Sequence, residues 1–374
     1  MLGGDPAVPQ RAAAVAERTP AAARSCSRAR DLRYCCTVPS LVIQTSFLGD
    51  TILTTPLLAA LAARGPVDAV VTPLGATILR GNPSVRRLVI YDKHGRDAGL
   101  GGLRRLVARL RDERYEAAYL AQGSLRSAVL ARGAGIARRI GFDTSTGRAL
   151  YTERVHYRRD VHHAERLWRL DAGDAAPAPD VESIRPHLYP GDEERAAVDA
   201  LLSDVPAGGA LVAIAPGSIW GTKRWPHIAA LVAMLDEVRF VVIGSPEDTA
   251  LAETVAAAGP GRVLDATGRL SLLESAELIG RCAVLVANDS APTHLASAMG
   301  TPTITLFGPT VPAFGFGPLA PRSEALGIDT LGCRPCHPHG PRECPLGHFA
   351  CMRTLEPSRV AERVRNLLSS PSTP

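Results

Sequence analysis

No apolar stretch of this sequence is long enough to cross a bilayer. The longest candidate, residues 41–63, is broken by Gln44, Gly49, Asp50 and Pro56, short of the roughly 20 uninterrupted residues that a spanning helix needs. An integral membrane protein is therefore not expected. Lysine is scarce: the 42 basic residues include only two lysines, Lys93 and Lys223, so a lysine that persists draws attention. There is no GxxxxGK[ST] phosphate loop and no GxGxxG after a strand pattern, which argues against Walker-type nucleotide hydrolysis and nicotinamide chemistry. No DxD-type acidic pair sits in a suitable turn. The first 37 residues, rich in Ala, Arg and Pro, lack the continuous apolar core of a secretory signal. They read as a disordered extension or a misplaced start, with a transit or anchoring role as the alternative. A concentrated basic footprint is also missing. The net charge is +5, and six arginines against three acids in the first 40 residues supply a large share of it. Nucleic acid is not expected as a partner, whereas an anionic substrate or a peripheral contact with an anionic membrane is compatible.

What is present is the profile of a soluble α/β protein, 46% apolar and 21% charged over 374 residues, long enough for two domains with separate cores. Eight cysteines occur at 26, 35, 36, 282, 333, 336, 344 and 351. A chain of this size needs no disulfide framework, so a reducing, cytosolic compartment is expected. Along the first half, strand patterns at 41–43, 67–71, 87–91 and 117–121 alternate with helical patterns, including 100–112 and 124–132. Thr55 and Pro56 suit an N-cap and first helical position. Residues 171–190 read as a linker. The second half repeats the alternation with strands at 211–215, 239–243, 283–287 and 303–307. Pro226 opens a helix through Leu235, Ser271 and Glu274 form a capping box, and Gly300 stops a helix that starts at Ser290 and Pro292. Two Rossmann-like units in series imply a cleft, with ligands beyond the carboxyl ends of the strands. The expected divisions are 1–37, 38–190, 191–355 and 356–374, the last a C-terminal helix and tail.

Three segments carry chemistry. Residues 288–300 (NDSAPTHLASAMG) follow a strand and open a helix, so free amide N–H groups and the positive helix end make an anion site. Ser290 and Thr293 add hydroxyls and His294 lies one turn in, although Asp289 and Ser290 could also simply cap the helix. Residues 216–226 (PGSIWGTKRWP) form a matching loop that offers Ser218, Thr222 and the charge of Lys223 to a diphosphate. In residues 46–56 (SFLGDTILTTP), Gly49 permits a tight turn and Asp50 stands at the edge of the first strand as a candidate general base, or as a helix cap. A fourth segment holds Cys333, Cys336, Cys344, His348 and Cys351 at intervals compatible with structural zinc; free thiols and a redox-labile disulfide are the alternatives.

Taken together, LGDTILTTPLLAAL, PGSIWGTKRWP, NDSAPTHLASAMGTPTITLFGPT and CRPCHPHGPRECPLGHFACM resemble the lipopolysaccharide heptosyltransferases of glycosyltransferase family 9 over about residues 39–368. The tail is more similar to the type II members than to type I. The resemblance implies a GT-B fold in which two Rossmann-like domains face each other across a cleft, acceptor on the first and ADP-heptose on the second. It implies inverting, metal-independent transfer of L-glycero-D-manno-heptose to the inner-core heptose of lipopolysaccharide, with no cofactor, on the cytoplasmic face of the inner membrane and in peripheral contact with it. Carried over, Asp50 becomes the base, and Ser218, Thr222 and Lys223 hold the diphosphate with Ser290, Ala291, Pro292 and His294. Asp289 lies near the transferred sugar, Glu247 binds the adenosine ribose, and Arg126 in SLRSAVL meets the anionic acceptor. Ala291 departs from the Gly of many members. Alternatives are another sugar nucleotide or acceptor within the family, a GT-B nucleotide-sugar epimerase, and a non-catalytic nucleotide-sugar binding protein.

Overall fold

The computed structural model describes residues 38–203 and 209–369; the expected N-terminal extension, with Cys26, Cys35 and Cys36, lies outside the described residues. The first sheet contains β1 (Ser40–Gln44), β2 (Val67–Val71), β3 (Arg87–Ile90), β4 (Ala117–Leu120), β5 (Arg138–Phe142) and β6 (Glu153–Val155), all parallel, in the order β3-β2-β1-β4-β5-β6. The second contains β7 (Leu211–Ala215), β8 (Arg239–Val242), β9 (Val263–Asp265), β10 (Val284–Asn288), β11 (Thr303–Phe307) and β12 (Glu324–Gly327). Its order, β12-β11-β10-β7-β8-β9, is the first one repeated. Each sheet reverses direction between its first and fourth strands, β1 beside β4 and β7 beside β10. Such a reversal leaves a crevice at the carboxyl ends of those two strands.

The central strands read as unbroken apolar runs because helices cover both faces of each sheet. Every residue of β10 and β11 is buried, with Val286 in register between Ile214 and Ile304. One hydrophobic cluster runs from Ile52, Leu53 and Leu57 of the first half to Leu285, Ala287 and Leu295 of the second. The two sheets thus share core.

Local signals explain most helix limits. Ser271 and Glu274 make both bonds of the capping box ahead of the helix Leu272–Gly280. Gly300, with φ 75°, closes the helix Ala291–Met299 in the left-handed region, where only glycine is unstrained. The helix after β7 spans Ile228–Met234 and so starts two residues past Pro226. The 171–190 segment is partly helical, containing the end of His163–Ala172 and the short Val181–Ile184. The C-terminal helix is Pro357–Ser369. None of the helices among the described residues is long and apolar enough to cross a membrane.

Two expectations near the N-terminus are corrected. Gly49 is not in a turn, because the helix Leu48–Leu53 begins almost directly after β1 and places Gly49 and Asp50 in its first turn. Nor is Thr55 an N-cap. The helix Thr55–Ala62 follows Thr54, itself in helical conformation, and no side chain caps it. The Thr55 hydroxyl instead donates to Ile52 O at 2.9 Å and accepts from the His187 N–H at 3.0 Å.

Candidate active site

The loops after β1 and β4 and those after β7 and β10 converge from the two halves. Asp50 stands on the first side. Its Oδ2 accepts a hydrogen bond from Ser46 Oγ, and Oδ1 is 3.5 Å from His163 Nε2. Burial pushes the Asp50 carboxyl above its ordinary range, against the lowering influence of the Ser46 hydroxyl, His294, the Phe47 amide and His339. It lines a cavity of about 420 Å³ with Gln44, Gln122, Ser145, Tyr157, Phe316 and His339. The wall mixes hydroxyl, amide and aromatic groups, and both halves contribute to it.

Gly49 exists for close approach. A Cβ placed there would be 2.8 Å from His294 Cδ2, so the helix Leu48–Leu53 touches the helix Ala291–Met299 edge to face. Gly49→Ala is expected to destabilise the fold by about 1–3 kcal/mol in urea unfolding. Combined with His294→Ala it should cost less than the sum of the two single changes, the signature of a shared contact.

On the second side, Lys223 and Asp289 form a buried ion pair. Lys223 Nζ donates to Asp289 Oδ2 at 2.6 Å and to its carbonyl at 3.1 Å; Thr310 Oγ1 donates to the same Oδ2 at 2.6 Å. An ammonium has three donors, and these contacts use two of them. Ser290 is the N-cap of the helix Ala291–Met299, yet its side chain makes no bond to the first turn. Its hydroxyl donates instead to Asn288 O at 3.1 Å. The Ser290 side chain therefore does not cap the helix; in its first turn Pro292 has no N–H and the Thr293 N–H donates to Ser290 O at 3.1 Å. Thr293 is no ligand group. It is fully buried, with its hydroxyl 3.1 Å from Thr305 Oγ1. His294 is also buried, and burial lowers its pKa despite the carboxylates of Asp289 and Asp50.

The 216–225 loop is held by Asn288, whose Nδ2 donates to Pro216 O at 2.8 Å and whose Oδ1 accepts from the Trp225 N–H at 3.1 Å. One side chain thus fixes both ends of the loop. The Ser218 hydroxyl accepts from the Trp220 N–H at 3.2 Å. Thr222 is turned away from open space, donating to Pro341 O. Glu247 is exposed on the turn after β8, where the Ser245 hydroxyl holds its carboxyl below the usual range. Its buried neighbour Asp248 accepts from the Ser245 amide at 3.0 Å and underlies Gly217, where a Cβ would meet Asp248 Oδ1 at 2.3 Å. Arg126 lies on the helix Leu125–Gly133, 3.2 Å from Tyr91 Oη. It is not among the residues lining the Asp50 cavity.

The cysteine segment packs over the second side. Arg334 donates to the Phe307 and Thr310 carbonyls, each at 3.0 Å, and also to Gly308 O and Ile328 O. Gly340, at φ 84°, lies against the Lys223 side chain, and His339 reaches the cavity. Cys333, Cys336, Cys344 and Cys351 are free thiols. Among the described residues no three His, Cys, Asp or Glu side chains are grouped so as to hold a metal ion. The four thiols are near enough for Cys351 to feel the charges of Cys333, Cys336 and Cys344, although Cys351 is buried in the second core and Cys336 is exposed.

Sequence reasoning missed Asn288 as a staple, Asp248, Thr310, Arg334 and His163. Asn288, Thr310, Arg334 and His163 each act on a partner distant in the chain, and Asp248, although bonded to Ser245, underlies the distant Gly217. The HHAER stretch, two histidines opening a helix, was the one readable signal for His163.

Two parallel six-stranded sheets of Rossmann order in series, with a carboxylate on the first half and a helix start and lysine on the second, define a GT-B fold. The family model for glycosyltransferase family 9 (heptosyltransferase) matches residues 103–347, and the chain belongs to that family. It is 31% identical to lipopolysaccharide heptosyltransferase 1 of Pseudomonas aeruginosa, over 89% of this chain and 99% of that protein. It is 27% identical to lipopolysaccharide heptosyltransferase 2 of Salmonella typhimurium, over 88% and 98%. Among solved structures, Escherichia coli ADP-heptose lps heptosyltransferase II superposes with a TM-score of 0.71 at 25% identity, covering 88% of this chain and 98% of that one. A family 9 glycosyltransferase from Veillonella parvula superposes at 0.77 with 22% identity over 88% and 97%. The relatives divide between types 1 and 2, so the resemblance of the tail to type II does not fix the subtype.

Proposed function

We propose that this enzyme transfers heptose from ADP-L-glycero-D-manno-heptose to the inner-core heptose of lipopolysaccharide, with inversion and without a metal ion. The observation that carries this reading is the half-buried Asp50 carboxylate in a hydroxyl- and aromatic-lined cavity, whose neighbour His294 also feels the Lys223–Asp289 pair. Carboxyls held above their ordinary range by burial are suited to proton abstraction near neutral pH, and a cavity of about 420 Å³ accommodates a sugar ring. On this reading the 38–190 half carries the acceptor, with Arg126 meeting its anionic groups. The 191–355 half carries the donor, with Ser218, Lys223, Ser290, Ala291, Pro292 and His294 around the diphosphate, Asp289 near the sugar and Glu247 at the ribose.

In one displacement the acceptor hydroxyl gives its proton to Asp50 and its oxygen bonds to the anomeric carbon from the face opposite the diphosphate. The bond from that carbon to the diphosphate oxygen breaks, and ADP leaves with the electron pair. Lys223 and the Ser290 and Ala291 N–H groups at the start of the helix Ala291–Met299 stabilise the charge as it develops. No covalent intermediate is required. The names of the relatives, all lipopolysaccharide or lipooligosaccharide heptosyltransferases, support this donor and acceptor class, and with it work at the cytoplasmic face of the inner membrane.

Incubation with ADP-heptose and heptose-containing core acceptors, following ADP release and product mass, tests the proposal. ADP release only when acceptor is present, unchanged by EDTA, is the expected result. Turnover of the donor alone would point to an epimerase, and turnover only with another donor would point to a different specificity. Activity lost to EDTA and regained with magnesium or manganese would overturn metal independence.

A further inference from the structure

Three imidazoles surround Asp50, and among the described residues His163 alone brings a ring nitrogen within 4 Å of its carboxylate. His294 reaches from the helix Ala291–Met299 with its carbon edge against Gly49. His339 comes from the cysteine segment across the cavity. His163 opens the helix His163–Ala172, and the second half fixes it in place. Its amide N–H donates to Gly315 O at 2.8 Å, and its ring lies 4.9 Å from that of Phe316, tilted by 32°.

The side chain is buried and Nδ1 has no hydrogen-bond partner. Burial, aided by the nearby Arg166 and His294, brings the His163 pKa down to about 3. The ring is therefore neutral, with one N–H to place. On Nδ1 that proton would face no acceptor and the Nε2 lone pair would oppose the carboxylate; on Nε2 it sits on the ring nitrogen 3.5 Å from Asp50 Oδ1. The tautomer is assigned from these partners.

We propose that His163 is a positioning residue for the transfer: its Nε2–H holds Asp50 Oδ1 while Ser46 holds Oδ2, so that the free lone pair of the carboxylate faces the acceptor hydroxyl. The proposal rests on Asp50 being the base. At 3.5 Å the contact is longer than a formed hydrogen bond, and contacts of this kind tighten when substrate binds.

His163→Leu is expected to lower kcat roughly 10- to 100-fold and to leave KM for ADP-heptose unchanged. It should also move the acidic limb of the kcat/KM profile to higher pH, because a lost donor disfavours the ionised carboxylate. The other groups facing Asp50 are Ser46, His294 and His339, with Asp289 and Lys223 behind His294. All of them are retained in the variant, so the shift of the limb reports on His163. His163→Gln, whose amide N–H can reach the same oxygen, should restore the limb and most of kcat. A His163→Leu enzyme with the parental limb and kcat would overturn the proposal. So would a His163→Gln enzyme as impaired as His163→Leu, which would mark the ring as packing alone. Full turnover by Asp50→Asn would instead remove the base assignment itself, a result distinguishable from either.

Discussion

Asp50→Asn is expected to lower kcat by roughly 10²–10⁴-fold, the usual contribution of a positioned general base, while affinity for ADP-heptose is largely retained. The amide keeps the shape of the carboxylate beside Ser46 and His163 but cannot take a proton from the acceptor hydroxyl. The measurements are acceptor-dependent ADP release and, separately, calorimetric binding of the donor. Turnover near the parental rate would eliminate Asp50 as the base. The stability change should have the opposite sign. Burial raises the Asp50 pKa in the folded state, so folding disfavours the ionised form. The carboxyl's contribution is fully present below the unfolded-state pKa and is lost as pH rises through the folded-state value. Above that folded-state value Asp50→Asn should be more stable than the parent, and the advantage should disappear on acidification below the ordinary carboxylate range. An inactive but stabilised variant is the mark of a site that holds an unfavourable charge for chemistry.

The second large effect is at Lys223. Lys223→Met leaves Asp289 buried, with Thr310 as its remaining side-chain partner, and breaking such a pair costs about 3–5 kcal/mol. The same change removes the positive charge beside the leaving group, for which a loss of roughly 10²–10³-fold in kcat is expected. The two consequences separate in the double variant. Lys223→Met with Asp289→Asn removes both charges, so most of the stability should return, as read from urea unfolding, while turnover stays low. Recovery of turnover together with stability would mean that Lys223 only supports the fold.

What was legible in the sequence was local. The central strands could be read because parallel strands covered on both faces are continuous apolar runs, as in 211–215 and 303–307. The Ser271–Glu274 cap and the Gly300 stop are written in adjacent residues. The loops that follow β7 and β10 were therefore found before any coordinates. What escaped was the particular bonds between distant parts of the chain, beyond the grouping of Lys223 with the 289–292 turn that the family resemblance implied. Asn288 holds Pro216 across 72 residues and Lys223 meets Asp289 across 66; neither spacing leaves a periodic trace. Gly49 shows the same limit. A glycine beside an aspartate after a strand suggests a turn, and only the packed helix from the other half reveals that the missing Cβ makes room for His294. Thr222 looked like a phosphate ligand until its hydroxyl was found on Pro341.

The 333–351 segment lies against Lys223 at Gly340, takes the Thr222 hydroxyl at Pro341 and extends His339 into the Asp50 cavity. One short stretch of chain thus borders both the Asp50 cavity and the Lys223 side chain, where the donor is proposed to bind. If either substrate shifts that stretch, the two binding events are thermodynamically linked. Whatever factor the nucleotide sugar imposes on acceptor affinity, the acceptor must impose on nucleotide-sugar affinity in return. Such coupling needs no relay through the sheets, because a single segment touches both sides.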